Sequence, residues 1–90
     1  MTEDQPTSLQ FPCEFVIKVF GNTSSQFETE VLTVIRKHLT TDLKENAIRH
    51  RSSKDGKYLA LTITFFAESK EQLDTIYREL SAHSEVLMVL

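Results

Sequence analysis

The order in which the apolar residues change their spacing is the strongest constraint on the fold of this 90-residue chain. A spacing of two residues, typical of a strand, gives way to helical spacing, and two further strand patterns follow with a turn between them. A second helical pattern and a last strand pattern complete the chain. The order of elements is therefore βαββαβ, and the chain is long enough for one such domain.

The strands are predicted from the alternation of apolar and polar residues. They cover residues 14–20, 46–51, 58–66 and 86–90. We expect Gly21-Asn22 to end the first strand, and Asp55-Gly56 favours a hairpin turn over residues 52–56. The apolar side chains that share one face of the two strongest strands are Phe15, Ile17, Val19, Leu59, Leu61, Ile63 and Phe65.

Each predicted helix begins at a capping box, in which a serine and a later acidic or amide side chain satisfy free backbone amides. The first box pairs Ser25 with Glu28, and its helix is expected to end near His38. The second box pairs Ser69 with Gln72. The apolar stripes that follow at helical spacing are Phe27, Val31, Val34, Ile35 and Leu39 in the first helix and Leu73, Ile76, Tyr77 and Leu80 in the second.

This order of elements is the split βαβ arrangement of ferredoxin-like α+β domains. Right-handed crossovers then give a four-stranded antiparallel sheet of order 4-1-3-2 with both helices on one face. The two central strands are the most apolar, as a covered sheet centre requires. We expect residues 1–12 to form a flexible N-terminal tail, because they show no period, and residues 13–90 to form a single domain.

With both helices on one face, no element remains to cover the other face of the sheet. An antiparallel sheet tolerates water on one side, but this face is more apolar than solvent contact requires. The side chains predicted to lie on it are Val16, Lys18, Phe20, Arg49, Arg51, Tyr58, Ala60, Thr62, Thr64 and Phe66. Either Leu87 and Val89 or Met88 and Leu90 join them, depending on the register of the last strand.

Composition argues against several classes of protein. A net charge of −3, with acidic and basic residues interspersed, disfavours strong nonspecific binding to DNA or to anionic membranes. No apolar run approaches the roughly 18 residues that a spanning helix needs. The acidic, polar residues 1–6 do not resemble a secretion signal, and a single cysteine, Cys13, forms no internal disulfide. A cytoplasmic location is therefore expected.

No group of residues in the sequence predicts catalysis, a metal site or a cofactor. No motif ties Cys13 to a base that would activate it. His38, His50 and His83 are scattered without the short spacings of metal ligands. We therefore expect a protein that is not an enzyme and has no cofactor.

Several stretches resemble the YbeD-like family of small bacterial proteins of uncharacterised function. They are Phe11-Pro12 with Phe15, Lys18-Val19 and Gly21; Ser52-Ser53-Lys54 with Gly56 and Tyr58; Leu61-Thr62-Ile63; Tyr77 with Glu79-Leu80; and the terminal Val86-Leu87-Met88-Val89-Leu90. An inserted Asp55 departs from the family pattern. The resemblance implies a ferredoxin-like fold similar to ACT-type regulatory domains. The family's genes often lie near lipoate-attachment genes, which implies a regulatory role, and no catalytic residues carry over.

The main hypothesis is a non-enzymatic regulatory or adaptor module whose open sheet face binds a partner protein or a second copy. The residues expected to form this interface are Val16, Phe20, Tyr58, Thr62 and Phe66, with Arg49 and Arg51 as a charged rim.

Two alternatives use other chemistry. An ACT-like sensor would bind a small anionic metabolite at Gly21 and Asn22, where the first helix offers free amides. RNA binding, the weaker alternative, would stack bases on Phe20 and Tyr58. The negative net charge and the poor match of residues 56–61 to the expected strand signature argue against RNA.

Overall fold

The computed structural model describes residues 10–24 and 26–90. Its elements are β1 (Cys13–Asn22), α1 (Phe27–Lys37), a single 3₁₀ turn (Glu45–Ala47), β2 (Ile48–Ser52), β3 (Tyr58–Ala67), α2 (Lys70–Ala82) and β4 (Val86–Val89). The predicted βαββαβ order is confirmed. The 3₁₀ turn was not predicted, and it delays the start of β2 from residue 46 to Ile48.

The four strands form one antiparallel sheet of order β2-β3-β1-β4, as predicted. The central strands β1 and β3 pair along their whole length, from Cys13 opposite Ala67 to Asn22 opposite Tyr58. The outer strands are shorter: β2 pairs with β3 over Leu59–Ile63, and β4 pairs with β1 over Val19–Gly21. In those parts each central strand has a hydrogen-bonded neighbour on both sides.

The first strand continues through Gly21 and ends at Asn22, so the prediction that Gly21-Asn22 breaks it after Phe20 was wrong. Gly21 pairs with Leu59 and Asn22 with Tyr58, so both residues continue the ladder with β3. The amide of Thr23 then donates to the carbonyl oxygen of Lys57 at 2.9 Å. Pairing with a long neighbouring strand outweighs the low strand propensity of glycine and asparagine.

The core lies between the two helices and the inner face of the sheet. The predicted alternation is confirmed, because Ile17, Val19, Leu61 and Ile63 are fully buried. Other buried members of this cluster are Phe27, Val31, Leu32, Val34, Ile35, Phe65, Ala67, Leu73, Ile76 and Leu80. Burial of each large side chain contributes about 1.5–3 kcal/mol, so this cluster is the main source of stability.

Phe11 also packs against this cluster, although the sequence placed it in the predicted tail. Residues 1–9 of that tail lie outside the described residues.

The start of α2 is capped as predicted, but the capping box is not reciprocal. Ser69 Oγ accepts a hydrogen bond from the Gln72 amide at 3.0 Å. The Gln72 side chain accepts from the Glu68 amide at 2.7 Å and donates to the His38 carbonyl oxygen, also at 2.7 Å. Since His38 follows the last residue of α1, this amide side chain joins the end of one helix to the start of the other.

The predicted capping box of α1 includes Ser25, which lies outside the described residues. Within the described part, Ser24 Oγ accepts a hydrogen bond from the Phe27 amide at 3.0 Å, at the first residue of α1. The helix ends at Lys37 with His38 as its C-cap, as predicted.

Each of the three histidines forms a hydrogen bond to a glutamate of another element. His38, at the end of α1, lies 2.8 Å from Glu79 in α2. The other two pairs are His50 in β2 with Glu28 in α1, at 2.7 Å, and His83 after α2 with Glu30 in α1, at 3.1 Å. The three pairs therefore connect α1 and its C-cap to α2, to the C-cap of α2 and to β2.

The response of the helix layer to acid can be predicted from Glu79. Hydrogen bonds from Lys37 and His38 hold the pKa of Glu79 below its usual value of 4.5. A lowered pKa adds stability above that value, and this stability is lost as the pH falls through the folded-state pKa. We expect Glu79→Gln to lower the free energy of unfolding at neutral pH and to flatten its decline in the acid range.

The measurement is chemical denaturation over a pH series. Glu71→Gln, an exposed change on the same helix, serves as the control and should keep the wild-type slope. Identical acid slopes for wild type and Glu79→Gln would contradict this role of the Lys37–His38–Glu79 cluster.

Candidate functional site: the open sheet face

Strand register places side chains from all four strands next to one another on the face of the sheet opposite the helices. One row across this open face consists of Arg51, Ala60, Phe20 and Met88. The next row consists of Arg49, Thr62, Lys18 and Leu90. Directly opposed side chains on one face lie about 4.5–5.5 Å apart at Cβ, so each row is a continuous surface.

A bulge in β4 decides which of its side chains reach the open face. Gly21 pairs with Val86 and Phe20 with Met88, so Leu87 is an extra residue on β4. Leu90 continues the pairing through two hydrogen bonds with Lys18, of 2.8 and 3.1 Å. Of the two pairs that the sequence left open, Met88 and Leu90 therefore join the face.

Much of the open face is apolar and accessible to solvent. Five of its side chains have exposed fractions between 49% and 60%: Val16, Tyr58, Phe66, Met88 and Leu90. Phe20 is half-buried because Ala60 and Met88 flank it, and Thr62 is half-buried at the sheet centre. Arg49 and Arg51 are exposed on the edge strand β2. The structure thus brings all seven predicted interface residues to one face.

A concavity of about 760 Å³ opens at one end of this face. It lies where the connection between α1 and β2 passes beside β1 and β3. Val16, Leu43 and Phe66 supply apolar lining, Lys44 and Arg49 supply basic groups, and Glu14 and Asp42 supply carboxylates. The sequence did not predict this feature, because the path of an irregular connection has no period. A smaller hollow of about 200 Å³ lies near Phe20, Arg51 and Tyr58.

The open face is locally basic although the whole chain is acidic. Lys18, Arg49 and Arg51 lie on it, and within the described residues none of the three forms an ion pair with a carboxylate. His50, which lies between these two arginines in β2, is paired with Leu61, so its side chain lies on the helix side, where it bonds to Glu28. By contrast, Lys37 is paired with Glu79 at 2.7 Å and Lys70 with Asp74 at 2.9 Å.

The end of β1, where an anionic ligand was considered, is tightly packed. Gly21 is buried, and a Cβ atom built on it would meet the Phe27 ring and lie 2.5 Å from the Glu85 carbonyl oxygen. Ser24 Oγ, which accepts from the Phe27 amide, donates to the Glu85 carboxylate at 3.0 Å. Asn22 is exposed. The chain's own carboxylate therefore lies where an external anion would approach the helix.

The groups considered for catalysis are not brought together. Cys13 is half-buried at the start of β1, and each histidine is paired with a different glutamate. Across residues 10–24 and 26–90, no three His, Cys, Asp or Glu side chains are grouped so as to hold a metal ion. In the same residues, no helix has the length and apolar character needed to cross a membrane.

The fold and the uncovered face define a small α+β domain of the ferredoxin-like class. The chain belongs to a family described as a protein of unknown function, DUF493, which matches residues 6–90. A UPF0250 protein of Chromobacterium violaceum is 39% identical over 90 residues, covering all of both chains. A UPF0250 protein of Neisseria meningitidis serogroup C is 42% identical over 92 residues, again covering both chains completely. The resemblance to YbeD-like proteins is confirmed.

Solved structures confirm the fold. Protein HP0495 of H. pylori has a TM-score of 0.72 and 16% identity, with 99% of this chain and 98% of that chain covered. The ACT domain from GTP pyrophosphokinase of Chlorobium tepidum has a TM-score of 0.64 and 21% identity, with 87% of this chain and 97% of that chain covered. The expected likeness to ACT-type domains therefore holds for the fold.

The packing at Gly21 leads to a direct prediction. Gly21→Ala places a methyl group against the Glu85 carbonyl oxygen, a backbone atom that moves only if β4 moves. We expect a loss of about 1–3 kcal/mol in the free energy of unfolding, the usual cost of overpacking. The measurement is denaturation by urea, with Asn22→Ala, an exposed change at the next position of β1, as the control.

A Gly21→Ala protein of wild-type stability would contradict this account.

Proposed function

We propose that this protein is a non-enzymatic regulatory or adaptor module that acts through its open sheet face, on a partner protein or on a second copy. The observation that supports the proposal is the contiguous apolar surface formed by Phe20, Met88 and Leu90 with Val16 beside them. Contiguous apolar surface of this kind marks contact sites in soluble proteins. The proposal includes a reducing compartment such as the cytoplasm, which the single cysteine favours.

The energetics of the face support association. Met88 and Leu90 are about half-exposed, and a large apolar side chain gains about 1.5–3 kcal/mol when its whole surface leaves water. A partner that covers several of these neighbouring side chains therefore gains free energy for association from their burial. The rigid sheet beneath them keeps the cost of ordering these side chains low.

We propose a non-enzymatic role because of where the candidate catalytic side chains lie. In the described part of the chain, Cys13, His38, His50 and His83 lie in separate elements, and the histidines are engaged with glutamates. A nucleophile needs a base within hydrogen-bond reach.

A sensor of a small anionic metabolite at Gly21 and Asn22 is the second candidate. The fold likeness to an ACT domain favours it. A ligand at the start of α1 would have to displace the Glu85 carboxylate from Ser24, which makes the open face the better-supported site.

The proposal predicts the effect of a charge in the apolar row. Phe20→Glu places a carboxylate between Ala60 and Met88, where burial in an interface would cost free energy. We expect the variant to lose self-association or the capture of a partner that wild type retains. The measurements are sedimentation velocity and affinity capture from bacterial lysate, with bound proteins identified by mass spectrometry.

Two further variants make the result specific. Met88→Glu changes a more exposed neighbour in the same row and should act in the same way without a large loss of stability. Thr33→Glu changes an exposed residue of α1 on the opposite layer and should leave association intact. If Phe20→Glu and Met88→Glu fold normally and bind as wild type does, the open face is not the functional surface.

A further inference from the structure

The two layers of the molecule carry opposite charge. Carboxylates outnumber basic groups in and beside the helices. The acidic residues there are Glu28, Glu30, Glu68, Glu71, Asp74, Glu79 and Glu85, and the basic residues are Arg36, Lys37, Lys70 and Arg78. Among the described residues of the open face, the cations of Lys18, Arg49 and Arg51 outnumber the one carboxylate, that of Glu14. The net charge of the chain is −3, so the basic open face differs in sign from the protein as a whole.

Basic and apolar groups are interspersed on this face. Arg49 and Arg51 lie on the edge strand β2, and Met88 and Leu90 lie on the opposite edge strand β4. Lys18, on β1, lies directly beside Leu90, and the exposed rings of Tyr58 and Phe66 lie on β3. A partner that covers the whole face therefore meets cations next to apolar groups.

This arrangement disfavours a second copy as the occupant. In a two-fold symmetric interface the same surface is used by both subunits. Lys18, Arg49 and Arg51 of both copies would then lie in one interface, and among the described residues of the face Glu14 is the one carboxylate that could pair with them. Bringing like charges together costs free energy, which opposes self-association.

The arrangement also disfavours RNA. The exposed rings of Tyr58 and Phe66 lie at opposite ends of β3, about 27 Å apart at the rise of an antiparallel strand. Between them on β3 lie Ala60, Thr62 and Thr64, which offer no stacking surface. The ring of Phe20, on β1 opposite Ala60, is half-buried and presents only part of its surface to a base. Single-stranded RNA is held by successive bases stacked on neighbouring aromatic rings.

The concavity at the end of the face has the same mixed chemistry. Val16, Leu43 and Phe66 give it apolar walls, and its two cations, Lys44 and Arg49, are matched in number by the carboxylates of Glu14 and Asp42. The concavity therefore fits an apolar side chain, and the preference for carboxylates rests on Lys18, Arg49 and Arg51.

We propose that the occupant of the open face is a segment of a partner protein in which carboxylate side chains stand next to apolar ones. Its carboxylates pair with Arg49, Arg51 and Lys18, and its apolar side chains cover Phe20, Met88 and Leu90 and enter the concavity. This inference rests on the proposed function and specifies the partner's chemistry.

The test uses defined probes. Three fluorescent peptides share the same leucine and phenylalanine residues and differ only in the alternating residue, which is Glu, Lys or Ser. We expect the Glu peptide to bind about tenfold more tightly than the Lys peptide, because its carboxylates are attracted to three cations that repel the Lys peptide. Fluorescence anisotropy measures the affinities, and a labelled oligouridylate tests RNA in parallel.

Charge reversal tests the residues themselves. The double variant Arg49→Glu/Arg51→Glu should abolish or invert the preference for the Glu peptide. The control is Lys54→Glu/Lys57→Glu, which makes the same change of charge in the exposed hairpin and should retain the preference. Added salt should weaken binding of the Glu peptide to the wild-type protein, which tests the charges without any substitution.

Several results would overturn the inference: equal affinity for the Glu and Lys peptides, tighter binding of oligouridylate, or a dimer formed through Phe20 that is insensitive to salt. The inference and the proposed function fail separately. If Phe20→Glu abolishes partner capture while Arg49→Glu/Arg51→Glu retains it, the adaptor role stands and the acidic partner does not. If neither changes capture, both are wrong.

Discussion

The pairing of β1 with β3 is the interaction on which the rest of the structure depends. Ten consecutive residue pairs, from Cys13–Ala67 to Asn22–Tyr58, fix the register of the two central strands. Since successive side chains alternate between faces, a slip of one residue would send Ile17 and Leu61 into water. The ladder therefore decides at once which side chains the helices cover and which stay exposed.

The two edges of the sheet complete this division in different ways. On one edge, the extra residue Leu87 shifts β4 so that Met88 and Leu90 lie beside Phe20 and Lys18. On the other edge, β2 presents Arg49 and Arg51, and such charges also protect an exposed strand edge from pairing with another chain. The mixed character of the open face is thus a product of how its edges are built.

Period and topology were sufficient to predict the element order, the strand order and the buried face, because these depend on side-chain alternation at positions such as Ile17 and Ile63. They were also sufficient to place Val16, Phe20 and Phe66 on the same face of the sheet. The bulge at Leu87 was not predictable, since a bulge is a property of two paired strands. The bond from Gln72 to the His38 carbonyl and the concavity near Leu43 depend on tertiary contacts that local spacing does not encode.

The separation of charge between the layers also has a kinetic consequence. A molecule with an acidic helix layer and a basic sheet face has an electric dipole across its short dimension, and its field extends roughly one Debye length, about 8–10 Å, into the solvent. A charged molecule that approaches from the wrong side is repelled and turned before contact. The orientation of an encounter is then selected during diffusion, which raises the rate of productive collisions independently of how tightly the surfaces later fit.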